Sequence, residues 1–402
     1  MERKDNKSAF ARKVWKTKKV YPKNIERTKG GKEMSKLRFG IIGCGGIANA
    51  KHLPALSAFP EEAELVYFCD IIRERAEEAA KKYGTSDAKV CTDYHELLAD
   101  KSIDIVHVLT PNVDHCPITC DALEAGKHVL CEKPMAITYE EGKKMLDTAK
   151  RTGKKLTIGY QNRFRKDTQQ MYEMVQNGEL GEIYFAKAHG VRRRGVPTWG
   201  VFPDKSKQGG GPLIDIGTHP LDMTLWLMNN YRPVSVLGQT FQKLKDHPEG
   251  NKFGPWDPDT FETEDSAFGL IRMENGATIY LEAAWAINML NCKDAMVTLC
   301  GTEGGSEMFG DNWENKGYLI SNTVSHGQLV DIEPAEAAGV FGFGGVDMTD
   351  PKILEQRYWI DAVKNDTDPY VKPEEALVVT RILEAIYKSA ETGKAIYFDY
   401  ED

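Results

Sequence analysis

The stretch Leu37-Arg-Phe-Gly-Ile-Ile-Gly-Cys-Gly-Gly-Ile-Ala48 decides the fold of this chain. Its apolar run ends in a G-x-G-x-x-A pattern formed by Gly43, Gly45 and Ala48, and a segment of helical character follows. The first glycine permits a tight turn, the second lets the backbone approach a pyrophosphate, and the small alanine packs a helix against a sheet. The pattern predicts a strand-turn-helix unit that binds a dinucleotide at the helix N-terminus.

The next apolar run, 63–70, ends in Asp70, where a second parallel strand should end. A carboxylate there accepts a hydrogen bond from a ribose hydroxyl and repels a 2′-phosphate, so it favours NAD over NADP. Arg73 and Arg75 nearby weaken that preference. In the structural alternative Asp70 caps the helix predicted from Arg73 onward, and the two roles are compatible.

Strand and helix patterns alternate up to residue 160. Further strands are predicted at 89–92, 103–109, 128–131 and 156–160, and helices at 73–83, 94–99, 116–125 and 139–152. This order is typical of a doubly wound parallel sheet, in which ligands bind beyond the carboxyl ends of the strands. Residues 37–160 are therefore predicted to form a Rossmann domain, with Asp70, Thr110, Asn112 and Lys133 at the ligand edge.

Lys133 lies between Glu132 and Pro134, directly after a predicted buried strand. Partial desolvation there would let its ammonium group donate to a substrate oxygen or relay a proton. The alternative is a surface lysine that pairs with Glu132.

The stretch Gly209–Asp222 contains three glycines followed by Asp215 and His219. Four-residue spacing places the two side chains on one helical face, and Pro220 is tolerated only near the first turn, so we expect the pair at a helix N-terminus. The positive end of the helix dipole would keep the imidazole neutral and able to accept a proton. The alternative is a capping Asp beside a packed His.

The second half changes to patterns typical of antiparallel strands. Strands are predicted at 183–189, 234–241, 266–272, 277–285, 296–300 and 395–399, and helices at 218–229 and 373–392. Asn275-Gly276 is a hairpin signal, and the first of these helices can cover one face of the sheet. Residues 243–264 and 304–348 are rich in Gly, Pro and charge, and we expect them to form long loops that shape or cover the site.

Composition is that of a soluble globular protein with two domains, because hydrophobic residues make up 41%, charged residues 28%, and no apolar run has membrane length. The eight cysteines are scattered without metal-ligand or disulfide spacing, which favours a reducing, cytoplasmic setting and no metal.

Charge is distributed unevenly along the chain. Residues 1–36 carry thirteen Lys or Arg against four Asp or Glu, and the formal net charge of −8 then leaves −17 on the remainder. We expect this basic leader to be an upstream extension or a segment introduced by cloning, disordered in solution; a transit peptide or a basic contact arm is the alternative. The acidic body argues against nucleic acid as a partner.

Taken in order, the motifs resemble those of the Gfo/Idh/MocA oxidoreductases, which include glucose-fructose oxidoreductase and inositol dehydrogenase. The matching motifs are Gly43-x-Gly45-x-x-Ala48, Asp70, Thr110-Pro111-Asn112, Ala125-Gly-Lys-His-Val, Glu132-Lys133-Pro134 and Gly209–Asp222. The resemblance covers about residues 37–400. It implies a Rossmann domain followed by an α+β domain over 161–402, whose large, mostly antiparallel sheet forms a homo-oligomer through its open face.

The resemblance also assigns catalytic importance to Lys133, Asp215 and His219. Cofactor contacts are expected from Gly43, Gly45, Gly46, Ile47, Asp70, Arg75, Thr110, Pro111, Asn112, His115, Glu132 and Lys133. Substrate contacts are expected from Tyr160, Asn162, Arg163, Arg192, Arg194, Trp199, Asp215 and His219, with Trp199 as an apolar platform for a sugar ring and the arginines as donors to hydroxyls.

These features predict a reversible NAD-dependent oxidation of a secondary hydroxyl on a sugar, glycoside or polyol, with His219 as the candidate general base and Lys133 as the alternative holder of the hydroxyl proton. The tryptophan and arginine cluster is most similar to relatives that act on glycosides or anhydrosugars, some of which oxidise the C3 hydroxyl. The alternatives are an inositol or polyol dehydrogenase, glycoside cleavage or sugar-to-sugar redox exchange with bound NAD, and a non-catalytic NAD-dependent sensor. Metal hydrolysis is disfavoured, since no third ligand stands at useful spacing.

Overall fold

The structure is a computed structural model that describes residues 35–311, 316–334 and 349–399. The basic leader predicted for residues 1–36 therefore lies, apart from its last two residues, outside the described part of the chain.

The first sheet has six parallel strands in the order β3-β2-β1-β4-β5-β6. Chain order reverses between β1 and β4, which creates the crevice where α/β sheets bind ligands. The strands are β1 (Leu37–Ile42), β2 (Ala63–Cys69), β3 (Lys89–Cys91), β4 (Ile105–Val108), β5 (His128–Cys131) and β6 (Leu156–Ile158). The helices between them are α1 (Leu53–Leu56), which continues a π-helical turn at Ala48–His52, α2 (Arg73–Tyr83), α3 (Tyr94–Ala99), α4 (His115–Glu124) and α5 (Tyr139–Thr152). The predicted Rossmann fold is confirmed.

Helix boundaries in this domain follow from local capping. In α5 the Thr138 hydroxyl accepts from the backbone of Glu141, whose carboxylate accepts from the backbone of Thr138 in return. The helix ends at Gly153, which has a φ of 65°. The capping box at the start and a glycine in the left-handed region at the end are both local signals, so the bounds of α5 can be predicted from sequence.

A mostly antiparallel sheet of nine strands forms the second half, in the order β14-β13-β12-β11-β7-β10-β9-β8-β15. Its strands are β7 (Ile183–Val191), β8 (Pro233–Phe241), β9 (Ser266–Met273), β10 (Thr278–Ala284), β11 (Met296–Gly301), β12 (Gly304–Asp311), β13 (Lys316–Ser325), β14 (Gln328–Ile332) and β15 (Ile396–Tyr397). The helices are α6 (Lys166–Gln176), α7 (Lys205–Gln208), α8 (Thr218–Met228), α9 (Pro351–Lys364) and α10 (Pro373–Thr392). Strands β7 and β10 pair in parallel.

The predicted long loop at 304–348 is wrong for its first half, because three strands, β12 to β14, occupy it. Their apolar side chains do not all face a core: Tyr318 is 56% exposed, Val324 64% and Leu329 80%. The buried positions of β12 and β13 include Ser306 and Ser321 beside Met308 and Leu319, while exposed positions carry apolar side chains, so the sequence lacks the apolar-polar alternation that identifies a strand. Residues 335–348 lie outside the described part. The predicted loop at 243–264 is confirmed, apart from a 3-10 turn at Pro258–Thr260.

Helix α9 belongs to the second half in sequence but packs on the Rossmann domain. Trp359 and Ile360 are buried in the same apolar cluster as Phe39 and Ile41 of β1. The Glu62 carboxylate accepts hydrogen bonds from two basic side chains of α9. The domain boundary at residue 160 therefore divides the sequence, but α9, which lies after this boundary, packs on the domain before it. Among the described residues, no helix is long and apolar enough to span a membrane.

Candidate active site

The glycine-rich stretch before Asp215 is packed too closely for larger side chains. A Cβ on Gly210 would lie 2.0 Å from the Tyr387 hydroxyl, and one on Gly211 would lie 2.4 Å from the Glu264 carbonyl. The Glu264 carboxylate accepts from the backbone N–H groups of Gly211 and Leu213 and from the Tyr387 hydroxyl. Burial raises the pKa of Glu264 against these hydrogen bonds. This carboxylate fixes the backbone at the start of the segment that carries Asp215.

Asp215 connects Lys133 to the second sheet. Its Oδ1 lies 2.8 Å from Lys133 Nζ, which also donates to the Asp215 carbonyl at 3.0 Å. Its Oδ2 accepts from the indole Nε1 of the buried Trp285 at 3.1 Å. Burial raises the pKa of Asp215, but the charges of Lys133 and Arg192 outweigh it, so the pKa lies below its usual value. The carboxylate is therefore ionised and held from two sides.

His219 lies in the first turn of α8, directly after the π-helical turn Leu213–Gly217 that contains Asp215. The predicted position of the pair at a helix start is confirmed. The imidazole is 9% exposed, and its Nδ1 has no hydrogen-bond partner within the described residues. Burial lowers the pKa of His219 to about 3, with a further contribution from the Lys133 charge, while Asp215 opposes the shift. Desolvation, more than the helix dipole that we invoked, keeps this histidine neutral.

A buried ion network holds the loop that carries Lys133. Glu132 Oε2 accepts from the Lys133 backbone N–H at 3.0 Å, and Glu132 Oε1 lies 2.7 Å from both Lys51 Nζ and His52 Nε2. Lys51 also pairs with Glu355 of α9 at 3.0 Å. The alternative in which Lys133 pairs with Glu132 is wrong, because the Glu132 carboxylate is occupied by Lys51 and His52. The ammonium group of Lys133 faces Asp215 instead.

The glycine turn after β1 leaves room for a dinucleotide diphosphate. Gly43 has a φ of 91°, and a Cβ there would lie 2.6 Å from the Leu109 carbonyl, so this position requires glycine. No heavy atom of the described residues lies within 4 Å of a Cβ built on Gly45 or Gly46. Their backbone is accessible next to the exposed Ile47. This open surface at the start of a helical segment fits a nicotinamide dinucleotide.

Asp70 follows β2 and supports this turn. Its Oδ2 accepts from the Cys44 backbone N–H and its Oδ1 from that of Ile72, both at 2.8 Å. The N-cap residue of α2 is Ile72, so the predicted helix-capping role of Asp70 is wrong. Each carboxylate oxygen keeps a further lone pair that can accept from a ribose hydroxyl.

The segment after β4 connects the edge of the parallel sheet to the glycine-rich stretch that precedes Asp215. Asn112 Nδ2 donates to the Gln208 carbonyl at 2.9 Å, directly before the glycine-rich stretch. Thr110 Oγ1 is buried without a hydrogen-bond partner in the described part of the chain. The His115 ring is also fully buried, but both of its nitrogens have partners, the carbonyls of Thr110 and Pro134. Pro111 is partly exposed beside Asn112, and Arg75 is exposed in the first turn of α2. Thus His115 positions two loops rather than facing the crevice.

The structure does not bring Arg163 to the crevice. Its guanidinium is fully buried and pairs with Asp222 and Glu375, at 2.5 Å in each case. Tyr160 is also buried, and its hydroxyl bonds that of Thr218 at 2.8 Å. Asn162 is buried, with Nδ2 lacking a partner among the described residues. Tyr160 and Arg163 therefore support α8 from beneath.

The other predicted substrate residues follow β7. Arg192 Nε donates to Asp294 at 2.8 Å, and Arg194 donates to the Ile287 carbonyl and to Asn288. Trp199 is 45% exposed and meets Phe202 and Phe253 edge to face. Phe202 in turn contacts Trp285, the partner of Asp215. A series of aromatic contacts thus leads from the Asp215 carboxylate through Trp285 and Phe202 to Trp199.

Our sequence reasoning missed Lys51, Glu264, Trp285 and Glu355 as parts of the site. Each acts through a contact between residues far apart in sequence, so no local pattern indicates them. The one sequence feature that could have pointed to any of these four residues is the position of Trp285 at the end of a predicted strand.

The comparisons with known proteins agree with this architecture. Residues 37–160 match the description "Oxidoreductase family, NAD-binding Rossmann fold", and residues 172–398 match "Oxidoreductase family, C-terminal alpha/beta domain". The chain belongs to the Gfo/Idh/MocA oxidoreductase family. It is a dehydrogenase that acts on CH–OH donors and uses a nicotinamide cofactor.

Individual relatives show how similar the chain is to proteins of known activity. It is 37% identical to a D-glucoside 3-dehydrogenase of Escherichia coli over 362 residues, which cover 90% of this chain and 97% of that protein. It is 31% identical to an inositol 2-dehydrogenase of Salmonella typhimurium over 202 residues, which cover 50% and 57% of the two chains. The fold matches a solved levoglucosan dehydrogenase in complex with NADH, with a TM-score of 0.76 at 23% identity over 90% and 99% of the two chains.

Proposed function

We propose that this protein oxidises the C3 hydroxyl of a sugar or glycoside to a ketone, with NAD as hydride acceptor. The observation that carries the proposal is the contact of Lys133 with Asp215 beside a neutral, buried His219, at the carboxyl edge of the parallel sheet. The full-length similarity to a D-glucoside 3-dehydrogenase supports the choice of a glucoside and of C3.

Each of the three residues has a role that follows from its surroundings. The nicotinamide, when bound, accepts the hydride in oxidation and returns it in reduction. His219 is unprotonated at neutral pH and accepts the hydroxyl proton. Lys133 donates to the same oxygen and stabilises its developing negative charge. Asp215, held by Trp285, orients the ammonium group of Lys133.

Asp70 supports NAD as the cofactor. Its carboxylate is fixed by two backbone N–H groups at the end of β2, where the adenosine ribose lies in a Rossmann domain. A 2′-phosphate at that position would be repelled by the carboxylate. Arg75 is exposed nearby and would favour NADP, but it leaves the carboxylate in place.

An inositol or polyol dehydrogenase is the second candidate, because the chain is also similar to an inositol 2-dehydrogenase over about half the length of each protein. The catalytic residues would serve either substrate, since both present a ring with secondary hydroxyls.

One experiment separates these candidates. The protein is incubated with NAD or NADP and a panel of sugars, glycosides and inositols, and the formation of NADH or NADPH is followed by absorbance. Bound nucleotide is identified after denaturation. We expect NADH from glucosides. Oxidation of inositols but not glucosides would refute the glycoside assignment. Product formation without added cofactor would indicate turnover with bound NAD, and NAD binding without any turnover would indicate a sensor.

A further inference from the structure

Glu264 lies shortly before β9 and connects that strand to the segment that carries Asp215. Its Oε2 accepts from the backbone N–H of Gly211 at 2.9 Å, and its Oε1 accepts from that of Leu213 at 3.1 Å. The Tyr387 hydroxyl of α10 donates to Oε1 at 2.8 Å. Each carboxylate oxygen therefore binds one backbone N–H group of the same short segment.

The sequence of this segment explains why a carboxylate binds there. Pro212 stands between the two bonded residues, has no N–H group, and is the N-cap of the π-helical turn Leu213–Gly217. The first N–H groups of a helix have no partner within the helix and form the positive end of its dipole. The Glu264 carboxylate, supplied from a distant part of the sequence, satisfies them and fixes where the turn begins.

The position of Asp215 depends on the same peptide group. The backbone N–H of Asp215 donates to the Gly211 carbonyl at 3.0 Å. A Cβ on Gly211 would lie 2.4 Å from the Glu264 carbonyl, so the two backbones are in direct contact. A displacement of this turn would move the Asp215 carboxylate away from Lys133 Nζ, which lies 2.8 Å from it.

The residue after Glu264 holds the second partner of Asp215. The Asp265 carbonyl accepts from the backbone N–H of Trp285 at 2.9 Å, next to the first residue pair of β9 and β10. The Trp285 indole in turn donates to Asp215 Oδ2 at 3.1 Å. The dipeptide 264–265 is thus bonded both to the backbone of the Asp215 segment and to the tryptophan that binds the Asp215 side chain.

An ion pair does not account for this carboxylate. Within the described residues, the groups that donate to Glu264 are two backbone N–H groups and one hydroxyl, all of them neutral. A glutamine has nearly the same shape and is less costly to bury, but its carboxamide has one acceptor oxygen instead of two. Only the carboxylate can accept from both N–H groups at once.

We propose that Glu264 is a positioning residue for the dehydrogenase reaction, acting through Asp215 on the ammonium group of Lys133. It holds the turn that carries Asp215, and Asp215 holds Lys133 Nζ in the site. The proposal goes beyond the proposed function, because it applies to any CH–OH donor that the site oxidises.

The kinetics of Glu264→Gln test this role. One backbone N–H group then faces a second donor, so kcat per NADH-binding site should fall by about 10-fold to 100-fold, while the affinity for NADH changes less than about twofold. Glu262→Gln is the matched control, because this exposed carboxylate accepts from the Lys205 backbone N–H and lies outside the Asp215 segment. Its kcat should equal that of the wild type. An unchanged kcat in Glu264→Gln would overturn the proposal.

The same substitution in the Lys133→Met protein separates positioning from a general loss of structure. If Glu264 acts through Lys133, the double variant should have a kcat within about threefold of that of Lys133→Met alone. The same fold loss in both backgrounds would show a structural effect and overturn the proposal. Glu264→Asp, which keeps the charge on a shorter side chain, provides both comparisons should the glutamine variant fold poorly.

Methyl β-D-glucoside and myo-inositol serve in parallel as substrates. Oxidation of myo-inositol alone would refute the proposed function, and the comparisons of kcat would still decide the role of Glu264. Amide hydrogen exchange of residues 209–217, measured by mass spectrometry, requires no substrate. Exchange there should be faster in Glu264→Gln than in Glu262→Gln. Equal protection of this segment in the two variants would overturn the proposal.

Discussion

The side chain of Asp215 receives one hydrogen bond from each half of the site. Lys133 arrives from the loop after β5, and Trp285 from the end of β10. The ammonium group is thereby placed beside His219, whose neutrality results from burial. The order of motifs in the sequence predicted that Lys133, Asp215 and His219 act together. It did not predict Trp285, because its contact with Asp215 joins residues that are far apart in the chain.

The first prediction concerns Lys133→Met, which keeps the length of the side chain but removes its charge and donors. We expect kcat to fall by about 10²-fold to 10⁴-fold, the range for loss of a positioned proton donor, while NAD affinity changes little. Steady-state kinetics and NAD titration measure the two quantities. Lys143→Met, at an exposed lysine of α5, serves as the control. Unaltered turnover and pH profile in the Lys133 variant would refute its assignment.

The second prediction concerns Trp285→Phe, which keeps the aromatic ring and removes the donor to Asp215. A hydrogen bond to a charged group contributes about 1.5–3 kcal/mol, so we expect kcat/KM to fall by about 10-fold to 100-fold. Trp256→Phe is the matched control, because this tryptophan lies in the same apolar cluster and its Nε1 donates to the Lys245 carbonyl instead. Equal losses of kcat/KM in both variants would show that the effect of Trp285→Phe results from altered packing and not from the lost hydrogen bond to Asp215.

At the scale of elements, helix α9 places Glu355 against Lys51 in the network that supports the loop carrying Lys133. The carboxylates of Glu132 and Glu355 both pair with the ammonium group of Lys51. Glu132 is closer to it and also receives His52, so its pKa lies well below the usual value despite burial. Burial raises the pKa of Glu355 to about 7, against the attraction of Lys51. Glu355 is therefore the member of the network that titrates near neutral pH.

This assignment predicts a pH-dependent difference in stability between Glu355→Gln and the wild type. A carboxyl group whose folded-state pKa is raised stabilises the fold fully below its unfolded pKa, near 4.5, and this contribution is lost as the pH rises through about 7. Relative to the wild type, the variant should gain roughly 3 kcal/mol in free energy of unfolding between pH 5 and about pH 9. Urea unfolding at both pH values measures the change. If the free energy of unfolding of the variant differed from that of the wild type by the same amount at both pH values, the raised pKa of Glu355 would be contradicted.

Elements with strong local signals could be predicted to the residue. The bounds of α5 follow from the reciprocal hydrogen bonds of Thr138 and Glu141 and from the glycine that ends the helix. Helix α10 likewise begins at a proline, Pro373, and is followed by Gly393. Strands β12 to β14 could not be predicted, because exposed side chains such as Val324 and Leu329 remove the alternation on which strand prediction depends.

At the scale of the whole molecule, no helix of the described residues covers the face of the second sheet that lies opposite α8 and α10. The cross-strand neighbours Leu237 and Leu270 are 52% and 42% exposed on it. Since apolar pairs on an open sheet favour association, we propose that this face joins copies of the chain. Leu237→Lys with Leu270→Lys should convert the oligomer to monomers, as measured by light scattering after size exclusion, whereas Leu290→Lys, at an exposed loop leucine, should not. A monomeric wild type would refute the interface.

In the proposed reaction, hydride passes from C3 of a glycoside to the nicotinamide, His219 accepts the hydroxyl proton, and Lys133 stabilises the oxygen that loses it. Methyl β-D-glucoside labelled with deuterium at C3 tests it most directly, by mass spectrometry of the reduced cofactor and of the sugar. We expect deuterated NADH and an unlabelled 3-keto product. Reduced cofactor without deuterium, or a keto product that retains the label, would contradict it.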